Sequence, residues 1–545
     1  MAHPAGLPAL AMISINQIPS MDQMPPAGGR GFAINDVGSS PLRYPPRVLC
    51  WMFTLVMVCL LVRPALGGPL DFQPVGVVPP AVGREYRAAW VASVSNIDWP
   101  STNSLIPQQQ RAELIAILDR ASRLKLNAIF LQVRPGCDAL YSSKFEPWSE
   151  YLTGTMGKAP SPFYDPLEFA VREAHKRGIE LHAWFNPYRA RHASAKSPIA
   201  RNHISERSPN MVRHYGRSLW LDPGERAVQD YSLAVVMDVV KRYDIDGVHF
   251  DDYFYPYKER DSSGRPIEFP DEASWQKYGA KSGLARDDWR RRNVSQFVER
   301  VHDSIRAAKP WVRFGISPFG IWRPGQPSQI RGLDAWAELY ADSRKWLESG
   351  WVDYFVPQLY WSIDSPQQSF PVLLGWWTDQ NPKGRMLLAG MDATKVGHSW
   401  KPEEILRQIS ITRQRSGVAG HVHWNMKSLM RRTDMDDALL AGAYKAPALV
   451  PALTWAGGRQ PAQPQLRVSG SKGLEVSWKV AEADKVSVWI LQTRSGSRWQ
   501  TKILPAGERS CRVVGDLPDV VAITAVNRFG ITSRPVSVGS PRVAP

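Results

Sequence analysis

The chain has 545 residues, 43% of them hydrophobic and 22% charged, and a formal net charge of +16. That is too long for one ordinary core and too apolar for a disordered chain, so two or more globular domains are expected. The basic residues form no run interleaved with aromatics, which argues against a nucleic-acid partner.

Residues 1–42 are rich in Pro, Gly, Met and Ser without periodicity. They read as disordered, or as the product of a start codon placed upstream of Met12, Met21 or Met24. Arg43 and Arg47 then precede an uncharged apolar run of 15 residues, 48–62. This is short for a membrane span and right for the core of a signal peptide, and Ala65 and Gly67 supply small residues for cleavage. Residues 1–67 are therefore expected to be a leader that sends the protein to the periplasm or cell envelope. The alternative is an uncleaved anchor attaching it to the membrane. Without 1–67 the chain loses four Arg and two Asp and keeps a charge of +14. Such a charge would draw it to anionic envelope polymers, unless the arginines only solvate the surface. Cys50 and Cys59 fall in the leader, and Cys137 and Cys511 fall in different expected domains, so neither a disulfide framework nor a zinc site is expected.

From Arg84 apolar runs alternate with helical periodicity. A strand over 86–93 runs toward Asn96 and Asp98, and a helix over 108–124 has Leu114, Ile117, Leu118 and Ala121 on one face. The strand at 127–133 closes on Arg134-Pro-Gly-Cys-Asp138. A helix over 166–177 stops at Gly178, and the next strand, 179–185, ends in Asn186-Pro-Tyr-Arg189. A helix over 225–243 leads to the fourth strand, whose run Val248-His-Phe250 ends in the adjacent acids Asp251 and Asp252. The polar stretch 258–286 is too long for a plain connection and reads as a substrate-covering loop. Then come a helix (287–309), a strand (312–317) ending in Pro-Phe-Gly-Ile-Trp322, a helix (333–349) and a strand (352–360). The seventh strand, 386–391, ends at Asp392. A helix at 402–416, a strand at 420–424 ending in Asn425, and a helix at 434–444 complete the series.

Eight strand–helix units over 84–446 predict an α/β fold, a (β/α)₈ TIM barrel with enlarged loops. A doubly wound open sheet is disfavoured, because no glycine-rich dinucleotide or phosphate loop follows the first strand. Residues 447–463 are dense in Pro, Ala and Gly and read as a linker. Beyond it the period becomes two, as in Leu474-Val476-Trp478, which predicts a small all-β sandwich of fibronectin type III kind over 464–540. No catalytic constellation falls there.

The residues after each strand form a polar set: Asn96, Asp98, Arg134, Asn186, Arg189, His249, Asp251, Asp252, Ser317, Gln358, Tyr360, Asp364, Asp392 and Asn425. Trp99, Trp184, Trp322, Trp361 and Trp424 are interspersed. Carboxylates do acid/base or nucleophilic work on an acetal, amides and arginines hold hydroxyl and acetamido groups, and aromatic faces carry a pyranose ring. Such a set predicts a polysaccharide site. The catalytic candidates are Asp251, Asp252 and Asp392. The sugar-binding candidates are Arg134, Asn186, Arg189, His249, Ser317, Gln358, Tyr360, Trp361 and Asn425. A serine hydrolase is disfavoured, because no Gly-x-Ser-x-Gly elbow occurs. His249 with Asp251, and His421 with His423, have a spacing that a metal could use, but barrel strands also carry satisfied inner histidines, so no metal or other cofactor is expected. Alternation puts His249, Asp251 and Tyr253 on one face and Phe250 with Asp252 on the other. Asp251 is therefore expected to point at the barrel axis, while Asp252 orients a neighbour, enters the site past the strand end, or pairs with an arginine.

Several segments resemble a bacterial glycosyl-hydrolase-like barrel family of exported envelope lipoproteins. They are Arg84-Glu-Tyr-Arg-Ala-Ala-Trp-Val-Ala92, Asn96-Ile-Asp-Trp-Pro100, Leu131-Gln-Val-Arg-Pro135, Ala183-Trp-Phe-Asn-Pro-Tyr-Arg189 and Asp246-Gly-Val-His-Phe-Asp-Asp-Tyr-Phe-Tyr-Pro256. Phe314-Gly-Ile-Ser-Pro-Phe-Gly-Ile-Trp322, Val356-Pro-Gln-Leu-Tyr-Trp361 and Lys427-Ser-Leu429 continue the match in order. The resemblance implies a glycoside hydrolase of the cell envelope, cutting peptidoglycan glycan strands stripped of stem peptides at the division site. It departs from the family in having no lipid-acceptor cysteine at Cys59. A more distant similarity is to chitinase-like barrels, in which the fourth strand ends in an Asp-Gly-x-Asp-x-Asp-x-Glu pattern and the substrate's acetamido group attacks. Asp246, Gly247 and Asp251 match it, whereas His249 and Tyr253 stand where that pattern has Asp and Glu. The acid is then expected to be Asp252, Asp392 or Asp364. The competing expectation is a non-catalytic glycan-binding barrel; a third has the sandwich docking an envelope or division partner.

Overall fold

The computed structural model describes residues 72–541 apart from 432, 471–472, 482–484 and 515–516, so the expected leader lies outside the described residues. Eight parallel strands close into a barrel. They are β1 (Tyr86–Val91), β2 (Ala128–Arg134), β3 (Glu180–Phe185), β4 (Gly247–Phe250), β5 (Arg313–Ile316), β6 (Tyr354–Phe355), β7 (Met386–Asp392) and β8 (Val418–Trp424). The ring shuts where Gly420 of β8 pairs with Tyr86 of β1. Every residue of β1 and β2 is buried, as strands covered on both faces require. The helices after the strands are α1 (Pro107–Arg123), α2 (Pro166–His175), α3 (Arg226–Arg242), α4 (Arg286–Ala308), α5 (Ser343–Ser349), α6 (Phe370–Asp379), α7 (Pro402–Gln414) and α8 (Thr433–Ala441).

Aromatic rings and histidines fill the barrel and raise its floor. Phe130 lies 4.9 Å from His182, 4.6 Å from His249 and 5.4 Å from Tyr354 between ring centres. Two glycines make that room. A Cβ at Gly247 would stand 2.2 Å from the His182 ring, and one at Gly315 would stand 2.1 Å from the Tyr354 ring.

Local chemistry explains where the elements depart from the sequence pattern. The sixth strand stops at Phe355, because Pro357 has no N–H for the ladder; Gln358 then rejoins it through single bridges to Phe319 and Gly390. The helix expected over 333–349 splits into Ala335–Glu338 and α5, around Tyr340 at φ +52°. Helix α6 lies in a stretch to which the sequence pattern assigned no element. After β3 the chain makes an antiparallel sheet of Arg189–Arg191, Val212–Tyr215 and Ser218–Leu221 before entering α3. In the long segment after β4, Asp271 accepts from Arg286 and Arg290, which ties that segment to the start of α4.

The C-terminal region holds two antiparallel sheets. One contains β9 (Gln465–Ser469), β10 (Leu474–Lys479) and β13 (Ser510–Val513). The other contains β11 (Val486–Ser495), β12 (Arg498–Pro505), β14 (Val520–Asn527) and β15 (Val536–Gly539), with Gln73–Pro74 added at its edge. They share a core of Val476, Trp478, Trp489, Leu491 and Ile523. The Pro-rich stretch 447–463 lies along the barrel's lower end. Leu449 and Leu453 are buried, the Leu449 carbonyl accepts from Glu85 N at 2.9 Å, and Trp455 Nε1 donates to Asp353 at 2.8 Å.

Candidate active site

Strand β4 ends at Phe250, so Asp251 and Asp252 follow the last ladder residue and both turn into buried surroundings. Asp251 Oδ2 accepts from Trp184 Nε1 at 3.1 Å and from Asn186 Nδ2 at 2.5 Å, and Oδ1 accepts from Tyr253 N at 3.3 Å. Asn186 is itself fixed, its Oδ1 accepting from Gln132 Nε2 at 2.7 Å. Asp252 accepts from the Tyr257 hydroxyl and from Gln358 Nε2 at 3.2 Å. Burial raises the pKa of both carboxyls. The neighbouring Asp252 charge adds to the rise at Asp251, while Arg189 opposes it at both. Two adjacent acids in a dry site cannot both ionise without penalty, so the pair holds a proton above the ordinary carboxylate range.

Beneath the acids, His249 is a satisfied inner-layer residue. Trp90 Nε1 donates to its Nε2 at 3.0 Å, Ser317 Oγ lies 3.1 Å from the same nitrogen, and Nδ1 faces the Tyr354 hydroxyl at 3.2 Å. Burial and the nearby His182 hold its pKa well below the usual value, so it is neutral. Above it, Trp424 packs edge-on against Trp90 and Trp184 at 6.1 and 6.3 Å, and Tyr360 lies 6.5 Å from Trp90. These rings wall a cleft of the kind that carries a sugar face.

Placement divides the sequence-selected residues into two groups. Tyr360, Trp361 and Trp424 stay partly exposed at the mouth. Asp392 lies at the end of β7, raised in pKa by burial, with Thr394 N bonded to it at 3.1 Å and Lys395 Nζ at 3.8 Å. Arg189 is buried with its guanidinium over the Tyr253 ring at 4.9 Å, and its Nε donates to the Pro135 carbonyl. The other group engages protein partners. Arg134, expected to hold sugar, is fully buried and forks onto Glu146 at 2.5 and 2.9 Å, so it shapes the wall from behind. Gln358 holds Asp252 and the Ser317 carbonyl, and Asn425 Oδ1 accepts from Ser428. Asn96 donates to the Pro100 and Tyr151 carbonyls, and Asp98 accepts from Ala92 N and Lys427 N. Trp99 is wholly buried and Trp322 stacks on Trp376, so neither offers a free face at the acids. Asp364 is exposed and away from the buried pair's hydrogen bonds. His421 and His423 both turn to the Tyr444 hydroxyl, at 2.5 and 2.7 Å, away from the strand ends.

Sequence reasoning passed over Tyr257 and Gln132, which hold the site from a loop and from β2. Tyr257 left a trace, as the last of four aromatics around Pro256, directly after the acids. A cleft of about 980 Å³ opens where the barrel's lower end meets the C-terminal sheets, lined by His175, Asp246, Lys445 and Arg528 among others. It is remote from the acid pair, lying at the feet of the strands.

Residues 85–406 match the glycosyl hydrolase-like 10 family. The chain is 42% identical over 396 residues to glycosyl hydrolase YngK of Bacillus subtilis, an alignment covering 70% of this chain and 76% of that protein. It is 38% identical over 383 residues to glycosyl hydrolase DigH of Escherichia coli K12, covering 66% and 84%. The family match spans the strand that bears the acids. The chain belongs to the glycosyl hydrolase-like 10 family, a bacterial glycosyl-hydrolase-like barrel family.

Proposed function

We propose that the protein is an exported glycoside hydrolase that cleaves an amino-sugar polymer of the cell envelope, namely peptidoglycan glycan strands lacking stem peptides. The observation that carries this reading is the acid pair, two adjacent buried carboxyls at the mouth of β4, each oriented by its own donors. Asp251 receives three N–H groups, which favour its charged form and work against the burial and the Asp252 charge that push its carboxyl up to about 7. Asp252 then retains the shared proton and delivers it to the glycosidic oxygen as the bond breaks. Ionised Asp251 stabilises the positive charge that develops at the anomeric carbon, or orients an acetamido group toward it, and water then adds to that carbon and returns a proton to Asp252. Tyr360, Trp361 and Trp424 form the sugar platform, and Asp392 with Lys395 borders it. No cofactor enters this scheme. The apolar run 48–62 supports export and, if uncleaved, membrane attachment. The C-terminal sheets would place the barrel near an envelope partner.

The test uses residues 68–545 on purified glycan strands with and without stem peptides, products being separated by mass. Reducing oligosaccharides from stripped strands, absent with folded Asp251→Asn or Asp252→Asn, are the expected result. Retention on the strands without any product would replace hydrolysis by glycan binding.

A further inference from the structure

The excursion after β3 carries charge that the fold does not neutralise. Residues 187–217 contain seven Arg or Lys and one acid, Glu206. Arg213 pairs with Asp222 at 2.9 Å, Arg191 lies 3.5 Å from Glu150, and Arg207 donates to the Phe145 carbonyl. Lys196, Arg201 and Arg217 are exposed and make no ion pair among the described residues.

Arg217 occupies the turn of a hairpin that the fold fastens to the acid site. Its second strand pairs Trp220 with Arg189, and Trp220 Nε1 donates at 2.9 Å to the carbonyl of Phe254, two residues beyond Asp252. Arg189 faces the acids through Tyr253. Antiparallel pairing of Arg191 with Leu219 brings the next residue, His192, toward the turn, where burial and the charges of Arg189 and Arg217 drive its pKa to about 4. The imidazole is therefore neutral, and its Nδ1 lies 2.8 Å from Ser194 Oγ. Ser194 Oγ continues to the Tyr151 hydroxyl at 2.9 Å and to Ser95 Oγ at 2.6 Å. One rim of the cleft is thus a row of hydroxyls and a neutral imidazole beside an unpaired guanidinium. The acid nearest the turn, Glu259, lies against Gly216, where an added Cβ would meet its carboxylate at 1.9 Å, and it forms no ion pair with Arg217.

We propose that this rim, Arg217 with Ser95, Tyr151, His192 and Ser194, is a subsite for a carboxylate-bearing sugar next to the sugar being cleaved. The proposal rests on the glycosidase reading and narrows its substrate to an acidic glycan. A guanidinium matches a carboxylate in a two-pronged bond, hydroxyls exchange hydrogen bonds with sugar hydroxyls, and cations on the rim offset repulsion between an acidic substrate and the Asp251/Asp252 pair. A neutral glycan would leave those cations without a partner.

The experiment compares stripped glycan strands with the same strands after their carboxyl groups have been reduced to primary alcohols. Wild type is expected to favour the carboxylated strands by about tenfold or more in kcat/KM, the work of one good charged contact. That ratio should approach one in Arg217→Glu and persist in Arg217→Lys. Equal use of both strands by wild type, or an unchanged ratio in Arg217→Glu, overturns the subsite. If wild type cleaves neither strand, the hydrolase reading fails and co-sedimentation decides the subsite alone. Salt-sensitive retention on carboxylated strands that Arg217→Glu abolishes supports it, and equal retention on both strands overturns it.

Discussion

Arg528, just past β14, is bonded to Asp246 at the foot of the strand whose mouth carries Asp251 and Asp252, with Nη2 to Oδ1 at 2.9 Å. Asp246 also receives His175 Nε2 at 2.8 Å and Leu181 N at 2.9 Å. Burial alone would raise its pKa, but the charges of His175 and Arg528 and the bonds to it hold the carboxyl well below the usual range. Arg528→Ala leaves the buried carboxylate to His175 and Leu181 N alone and should cost ~2–4 kcal/mol in urea unfolding. Removing 464–545 should cost more, so Arg528→Ala is the sharper probe of how the C-terminal sheets support the barrel. Stability equal to wild type would show the contact to be incidental.

Asp251→Asn should lower kcat on stripped strands by roughly a thousandfold, within the range for loss of an acid/base group. Asn186→Ala leaves the carboxyl in place but removes one of its orienting donors. A loss of roughly tenfold to a hundredfold is expected there, with unfolding midpoints near wild type. Equal effects of the two variants would mean that Asn186 touches the substrate itself.

The acid pair should impose an alkaline limb on the kcat/KM profile, because raising the pH removes the shared proton. The Tyr257 hydroxyl donates to Asp252 and lowers its pKa. Tyr257→Phe deletes that donor, so the limb should move up, by about one pH unit if the bond contributes ~1.4 kcal/mol. An unmoved limb would instead put the shared proton on Asp251, because Asp252 would then be charged on both sides of the limb.

Glu85, just before β1, binds Arg87 and Arg413 of α7, at 2.6 and 2.7 Å, and helps close the barrel. Burial would raise its pKa, but bonds to Arg413 and Arg87 and the nearby His421 hold it at about 2. A depressed carboxyl pKa stabilises the fold above the unfolded value and loses that contribution as pH falls toward 2. Glu85→Gln should therefore destabilise the protein by ~1–3 kcal/mol at pH 7, and the difference from wild type should shrink as the pH falls below about 4.5 and vanish only below about 2.

Arg134 and Glu146 form a wholly buried pair. Glu146→Gln should cost ~3–5 kcal/mol of stability by leaving the guanidinium without its counter-charge. If Arg134 instead held sugar directly, the same change would raise KM and leave the unfolding midpoint near wild type.

The succession of apolar runs was enough to specify the eight barrel strands, and β periodicity was enough to put Asp251 and Asp252 at the mouth of the fourth. Those are local properties, set by which side chains lie at a strand's mouth. The antiparallel excursion after β3 was less legible, because its strands are three or four residues long and carry no clear alternation. Which strand-end residues face a ligand was decided only by tertiary structure. Gln358 reaches Asp252 across 106 residues of sequence, and Arg134 turns to Glu146 instead of the cleft. The gain from each such pairing depends on how completely the closed barrel excludes water from both partners, and no local pattern encodes that distance or that burial.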